Sequence, residues 1–246
     1  MFQREVAPGI HRIEDAYVNW YVVEEDGALT IVDAGVPTSW SSLVAAVNTL
    51  GRSPDDIAAL ILTHAHFDHI GIAERLRSRL GIPVHVHEND VPLTRQPRLY
   101  SHERRRIPYF ATQVQAMPVA ASLLRSRAFW PSPIKTVERF QNGTLDVPGS
   151  PRVVATPGHT LGHVAFHFPD RDAVIAGDSV VTFDPYVAKR RPQIVSRAAT
   201  ADSSRALASL DALAETGAKT VLTGHGDPWN DGAEAIVERA RRAPIT

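Results

Sequence analysis

Apolar and polar positions alternate in two different rhythms along this chain. Short runs rich in β-branched residues, bounded by turn residues, predict β-strands. They lie at 10–13, 18–24, 28–33, 57–62, 83–87, 152–155, 164–168, 173–176 and 219–223. Longer segments whose apolar residues recur every three or four positions predict helices. They lie at 39–50, 72–80, 202–215 and 232–242. Because the two kinds of segment interleave, we expect an α/β fold whose strands gather into two sheets.

Residues 91–140 depart from this alternation. They contain nine Lys or Arg residues against two acidic ones, Glu103 and Glu138, and six prolines interrupt them. The basic residues are Arg95, Arg98, Arg104, Arg105, Arg106, Arg125, Arg127, Lys135 and Arg139. We expect an insertion of short helices between two strands that serves as a lid, with Trp130 as a candidate pocket wall. Its arginines form either a solvated basic face or a surface that attracts an anionic substrate.

The amino-acid composition argues against several classes of protein. An apolar content of 43% and a charged content of 22% are ordinary for a globular protein. The net charge of −1 gives no reason to expect nucleic acid or a membrane surface as the partner. Since the chain has no cysteine, disulfides and thiolate metal ligands are excluded. The first residues lack the apolar core of a secretory signal, and no apolar stretch could span a bilayer, so we expect a cytoplasmic protein.

The most specific chemistry lies in residues 63–69, the histidine cluster, which read Thr-His-Ala-His-Phe-Asp-His directly after a predicted strand. On an extended backbone His64 and His66 point the same way and can hold one ion. Asp68 and His69 lie past the turn and can serve an adjacent ion. Four such donors repel one another or need protonation unless a cation lies between them. The cluster therefore predicts a metal site with two neighbouring positions.

Three later strand patterns end in the same manner, with a His or Asp beside glycine. These residues are His159, Asp178 and His225. Loops on a rigid scaffold commonly carry functional residues, so we expect the three to join the histidine cluster. His163 is a candidate to support the site without binding metal. Structural roles are expected for the remaining histidines, which are His11, His85, His87, His102 and His167.

With these motifs the chain resembles the metallo-β-lactamase fold superfamily over nearly its whole length. The family's five motifs appear in order: Asp33 in Val-Asp-Ala-Gly, the histidine cluster, His159, Asp178 and His225. The resemblance implies an αββα four-layer sandwich with the metal site at one edge of two packed sheets. It also implies a single domain over residues 1–246, with the basic helical insert at about 91–140.

The resemblance further implies two ligand sets. The first metal would be bound by His64, His66 and His159. The second metal would be bound by Asp68, His69 and His225. Asp178 would bridge the two ions, and Asp33 would orient the ligands from outside. This donor set suits two zinc ions, with iron or manganese as alternatives.

Such a centre predicts a hydrolase. Two divalent ions about 3.5–4 Å apart can share a hydroxide and polarise a carbonyl or phosphoryl oxygen. Asp68, close to that hydroxide, is the candidate to pass a proton to the leaving group. We therefore expect a binuclear hydrolase of a small-molecule ester, lactone or thioester, anionic if the basic insert contacts it. A homodimer remains open.

Several alternatives remain. One is a mononuclear iron enzyme of the persulfide dioxygenase type, and another is a phosphodiesterase acting on a small phosphodiester or RNA. Nucleic acid is not the expected partner, since the projecting arm of RNA-processing members is not recognised here. A silent binding protein on the same scaffold is a third. Homoserine-lactone lactonases share the implied ligand set, so a lactonase-like enzyme is one candidate. Those enzymes commonly place a tyrosine three residues beyond the bridging aspartate, where this chain has Val181 and only an off-register Tyr186.

Overall fold

The computed structural model of the protein describes residues 1–105 and 112–246. Arg106 and Pro108, which belong to the predicted basic insert, lie outside the described residues. Within these limits, seven strands form a first sheet in chain order. They are β1 (Phe2–Ala7), β2 (Ile10–Asp15), β3 (Val18–Glu25), β4 (Ala28–Val32), β5 (Ile57–Ile61), β6 (Val84–His87) and β7 (Glu138–Phe140). The strands β1 to β4 pair antiparallel, and β4 to β7 pair parallel.

The second sheet of the described chain has five strands in the order β14-β11-β10-β9-β8. They are β8 (Gly143–Thr144), β9 (Arg152–Ala155), β10 (Val164–Phe168), β11 (Ala173–Gly177) and β14 (Thr220–Thr223). The pair β11 and β14, at one edge of this sheet, is parallel. A separate antiparallel ribbon consists of β12 (Val181–Asp184) and β13 (Lys189–Gln193).

Helices cover the sheets and fill the segment between β6 and β7. In the described residues they are α1 (Trp40–Thr49), α2 (Ala73–Leu80), α3 (Val91–Arg95), α4 (Met117–Arg125), α5 (Ser203–Ala214) and α6 (Ala233–Arg242). The short helices α3 and α4 both lie in the predicted insert. No helix in this described part combines the length and apolar composition needed to cross a bilayer.

Alternating side chains explain how the layers pack, because successive residues of a strand point to opposite faces. Tyr21 of β3 and Ile61 of β5 share a buried cluster with Phe166 of β10, so the two sheets face each other. On its outer face the first sheet packs against α1 and α2. The outer face of the second sheet packs against α5 and α6. The order of layers is helix, sheet, sheet, helix, and the predicted α/β class and αββα sandwich are confirmed.

The predicted strands and helices agree with the structure to within about two residues, but five strands were missed. These are β1, β7, β8, β12 and β13. Three of them, β1, β7 and β13, carry charged or exposed residues on both faces. The alternation of apolar and polar residues that predicts a strand is therefore weak in these segments. Because β7 pairs with β6, the segment between these strands ends at residue 137 rather than near 140.

Candidate metal centre

All the predicted ligands follow strand ends at one edge of the two sheets. Asp33 follows β4 and the histidine cluster follows β5, and these two strands are parallel neighbours. Asp178 and His225 follow β11 and β14, which are also parallel neighbours. Since the carboxyl ends of parallel strands meet at the same edge, this pairing brings distant parts of the sequence together.

Three groups of candidate ligand atoms form there, each with its atoms within 4.8 Å of one another. One of them, Asp33, His64 and His69, includes the residue expected only to orient the ligands. The other two, the two ligand groups, are His64, His66 and His159, and Asp68, His69 and His225. All six side chains are buried. These are the two sets that the family resemblance implied, and their assignment as metal ligands stays a prediction.

Asp178 lies between the two groups. Its Oδ2 atom is 3.4 Å from His159 Nε2 and 3.2 Å from His225 Nε2. Its Oδ1 atom is 3.7 Å from His69 Nε2. One carboxylate therefore reaches both groups, as a bridging ligand must. The close approach also explains Gly224, since a side chain at that position would overlap Asp178 Oδ1.

The outer nitrogen of each of several imidazoles is held by an acceptor. His69 Nδ1 lies 3.1 Å from Asp33 Oδ2, and His225 Nδ1 lies 2.7 Å from the carbonyl oxygen of Tyr17. His64 Nδ1 lies 3.0 Å from Thr63 Oγ1, which itself donates to Asp33. These contacts place an N–H on Nδ1 and turn Nε2 toward the centre. Asp33 thus occupies the orienting position expected of it.

Inner atoms of the centre have unmet hydrogen-bonding capacity. Among the described residues, buried atoms at the centre without a hydrogen-bond partner are the Nε2 atoms of His64, His66, His69 and His159 and Asp178 Oδ1. Buried polar atoms normally form hydrogen bonds, because a buried donor or acceptor without a partner costs about 1–3 kcal/mol. Imidazole and carboxylate donors converging on shared points suit divalent zinc, iron or manganese. The residues present therefore fit a pair of metal ions.

His163 differs from the ligand candidates, because both its ring nitrogens are already engaged. The backbone N–H of Asp178 donates to His163 Nε2 at 3.0 Å. The Nδ1 atom then carries the proton and donates to Thr156 Oγ1 at 2.8 Å. His163 supports Asp178 from behind, which is the role that the sequence suggested for it.

Electrostatics also favour cations at this position. Burial lowers the pKa of His64 and His66 well below the usual range and that of His159 to about 4, so these imidazoles are neutral donors. Burial acts on His69 in the same direction, but Asp178 and Asp33 outweigh it and raise its pKa to about 10. The buried carboxylates therefore stabilise positive charge between the two groups.

Asp90 is a supporting residue that the sequence reasoning missed. Its fully buried carboxylate accepts hydrogen bonds from the N–H of Ala65 at 3.0 Å and from Thr160 Oγ1 at 2.8 Å. The N–H of Gly162 donates to its other oxygen at 2.8 Å. Asp90 therefore joins the loop of the histidine cluster to the loop of His159. Its place just after β6, the parallel neighbour of β5, was the available signal.

Two tyrosines border the centre on the side of the insert. The Tyr100 ring lies 4.0 Å from the His66 ring, and the Tyr100 hydroxyl is 3.0 Å from that of Tyr186. Tyr186 is thus near the centre despite its off-register position in the sequence. In the described chain, the clustered ligand atoms include none from the other histidines, which are His11, His85, His87, His102 and His167.

These features define a chain with a two-part His and Asp centre on an αββα scaffold. The sequence profile of the Metallo-beta-lactamase superfamily matches residues 13–225. The protein belongs to this superfamily.

Proteins similar in sequence to this chain include some that are named as hydrolases. The chain is 26% identical to the probable metallo-hydrolase YflN of Bacillus subtilis (strain 168), over 91% of this chain and 86% of the relative. A hydroxyacylglutathione hydrolase of Cereibacter sphaeroides is 28% identical over 126 residues, covering 51% of this chain and 34% of that protein. The structure is also similar to that of TTHA1623 in a di-iron-bound form, with a TM-score of 0.66, 26% identity, and coverage of 94% and 98% of the two chains.

Proposed function

We propose that this protein is a binuclear metal-dependent hydrolase that attacks the carbonyl group of a small-molecule ester, lactone or thioester. The observation that carries the proposal is the position of Asp178 between two three-residue ligand groups. A mononuclear iron enzyme would need only His64, His66 and His159. It would leave the buried group of Asp68, His69 and His225 without a purpose.

The catalytic chemistry divides between the ions and the chain. Two bound divalent ions supply Lewis acidity and a water acidic enough to act as a nucleophile near neutral pH. Asp68 lies at the same centre, with Oδ2 3.7 Å from His225 Nε2. The position of Asp68 at the centre makes its carboxylate the candidate to pass a proton to a leaving oxygen or sulfur. Asp33 holds the His69 imidazole in position, and His163 holds the backbone of Asp178.

We propose zinc as the metal, with iron as the alternative. Imidazole and carboxylate ligands accept either ion, so the ligand set does not choose between them. The similarity to a protein solved with two irons supports keeping iron as the alternative. The thioester branch of the proposal is supported by the relative named as a hydrolase of hydroxyacylglutathione, a thioester.

Metal content and turnover test the proposal together. We expect two zinc or iron ions per chain by elemental analysis, and hydrolysis of a p-nitrophenyl ester, a lactone or a short thioester that chelation abolishes and metal restores. A phosphodiester is the contrasting substrate. One tightly bound iron per chain, or turnover of the phosphodiester alone, would overturn the proposal.

A further inference from the structure

A surface groove lies beside the metal centre, on the basic insert. It has a volume of about 370 Å³. Its walls include Arg95, Arg98, Leu99, Trp130, Pro131 and Pro133. We call this the Arg-Trp groove. None of its lining residues is acidic, so its charged groups are the two guanidinium groups.

The two arginines, Arg95 and Arg98, lack an acidic partner in the part of the chain that the structure describes. Across the described residues, neither Arg95 nor Arg98 forms an ion pair, whereas Arg12, Arg52 and Arg77 each pair with a glutamate. Both side chains are exposed and only three positions apart. A guanidinium presents a planar fork of N–H donors that matches the oxygens of phosphate or carboxylate. The groove therefore suits an anion.

Trp130 adds a flat apolar surface to the same groove. The indole is 53% exposed although it is one of the largest apolar side chains. Phe129 contacts it edge-on, with ring centroids 6.0 Å apart and planes at 85°. An exposed indole is a stacking surface for a planar ring such as a nucleobase.

The groove adjoins a cavity at the metal centre. Leu99 lines both the Arg-Trp groove and a second cavity of about 170 Å³. That second cavity is lined by His159 and Tyr100, and the Tyr100 ring lies 4.0 Å from the His66 ring. Together the two cavities reach the range of about 300–1,000 Å³ that is usual for small-molecule sites. A molecule held in the groove can thus extend to the ligands of the centre.

We propose that the Arg-Trp groove binds a phosphorylated nucleoside at the far end of the substrate, so that the substrate is a thioester of a nucleotide-bearing thiol. This inference rests on the proposed hydrolase function and names its substrate class. Arg95 and Arg98 bind the phosphate, and Trp130 stacks on the base. In the reaction, water forms a C–O bond to the acyl carbon, the C–S bond breaks, and the thiolate leaves with a proton. The products are a carboxylic acid and the free nucleotide-bearing thiol.

Binding without turnover tests the groove directly. Calorimetry on the metal-loaded protein would use free coenzyme A as the nucleotide-bearing probe and pantetheine as the probe without a nucleotide. We expect coenzyme A to bind the wild type, and Arg95→Gln with Arg98→Gln to weaken it by about tenfold or more, equivalent to 1.4 kcal/mol. Trp130→Ala should weaken it as well. Arg125→Gln, an exposed arginine of α4 outside the groove, is the matched control and should leave binding unchanged.

Several results would overturn the proposal. They are no binding of coenzyme A to the wild type, equal binding by the arginine variants and Arg125→Gln, or equal affinity for pantetheine and coenzyme A. An unchanged affinity in Trp130→Ala, with inorganic phosphate competing as well as coenzyme A, would show an anion site without base recognition and would also overturn it.

A kinetic comparison separates this inference from the proposed function. For an acyl-coenzyme A the arginine variants should raise KM with kcat retained, whereas KM for the matching acyl-N-acetylcysteamine should not change. Parallel changes for both thioesters would contradict the groove. Binding of coenzyme A that depends on the groove, with neither thioester hydrolysed, would instead refute thioester hydrolysis while leaving the nucleotide site in place.

Discussion

A single buried carboxylate organises the imidazoles of this centre. Asp178 lies close to His159 of one ligand group and to His69 and His225 of the other, and His163 fixes its backbone by accepting the N–H at 3.0 Å. The position of Asp178 is thus set by a histidine whose two ring nitrogens both form hydrogen bonds. This arrangement leaves Asp178 little freedom to move away when a neighbour changes.

Replacing Asp178 with alanine should remove metal and activity together. The second ion would then keep only Asp68, His69 and His225. Changes to residues that merely support ligands cost about 10–100-fold, so we expect a loss of activity greater than about 100-fold. Elemental analysis and ester hydrolysis provide the measurements, with Asp170→Ala, an exposed aspartate, as the control. An Asp178→Ala protein that keeps two tightly bound metals and full rate would contradict the bridging assignment.

A second buried carboxylate, Asp184, should make stability depend on pH. Burial raises its pKa to about 6, although the N–H groups of Tyr186 and Ser196 donate to it and oppose the shift. In the unfolded chain the pKa returns to about 3.9. The folded state therefore holds this proton more tightly, and the stabilisation is complete below the unfolded pKa. It is lost as the pH rises through about 4 to 6, by roughly 3 kcal/mol.

Comparison with Asp184→Asn isolates this effect, because the amide does not titrate. Urea unfolding of both proteins with metal removed should show the free energy of unfolding of the wild type falling relative to the variant between pH 4 and 7. Asp170→Asn should run parallel to the wild type over the same range. Parallel curves for the wild type and Asp184→Asn would mean that Asp184 titrates normally.

At the level of elements, parallel pairing explains how the site assembles. The strands β4 and β5 carry Asp33 and the histidine cluster to the same edge, and β11 and β14 do the same for Asp178 and His225. The strands with strong apolar alternation could be predicted from the sequence. Those same strands carry the candidate ligands, so the grouping of these side chains was predictable to the same extent.

The elements that could not be predicted are those whose placement depends on partners far away in the chain. Glu138–Phe140 has little apolar signal and becomes a strand because β6 offers it an open edge. Lys189–Gln193 resembles a solvated basic loop, yet Arg190 lies over the Phe183 ring at 5.0 Å from its centroid. Asp90 was missed for a similar reason, since its role depends on Thr160 and Gly162, some 70 residues away.

Asp90 should act on the metal centre through the loops it joins. Replacing Asp90 with alanine leaves the buried N–H groups of Ala65 and Gly162 without an acceptor, at about 1–3 kcal/mol each. We expect the loops of His66 and His159 to separate and metal affinity to fall by about 10–100-fold, as for other supporting residues.

Competition with a chromogenic chelator measures the metal affinity of this variant. Asn89→Ala is the matched control, because Asn89 is the exposed neighbour of Asp90, whereas the hydrogen bonds to the two loops are made by Asp90 itself. Asp90→Asn should rescue part of the affinity, since its amide oxygen can still accept from one of the loops. Metal affinity equal to the wild type in folded Asp90→Ala would show that the loops do not need this link.

Over the whole molecule, each ligand group takes residues from both sheets. His64 and His66 follow a strand of the first sheet, whereas His159 follows a strand of the second. In the other group, Asp68 and His69 follow a strand of the first sheet, whereas His225 follows a strand of the second. Bound metals would therefore link the two sheets at one edge. The apolar cluster around Tyr21 and Phe166 holds them together elsewhere.

Removing metal should therefore lower the melting temperature without unfolding the protein at ambient temperature. A ligand present at about 1,000 times its Kd stabilises the folded state by about 4 kcal/mol, and each kcal/mol shifts Tm by about 2–4 °C in a chain of this size. We expect circular dichroism to show a Tm lower by roughly 10 °C after chelation, restored by zinc, with secondary structure retained. The shift should shrink in His225→Ala and persist in His167→Ala, whose histidine lies on β10 away from the ligand groups. Equal Tm values with and without metal would mean that the ions do not join the sheets.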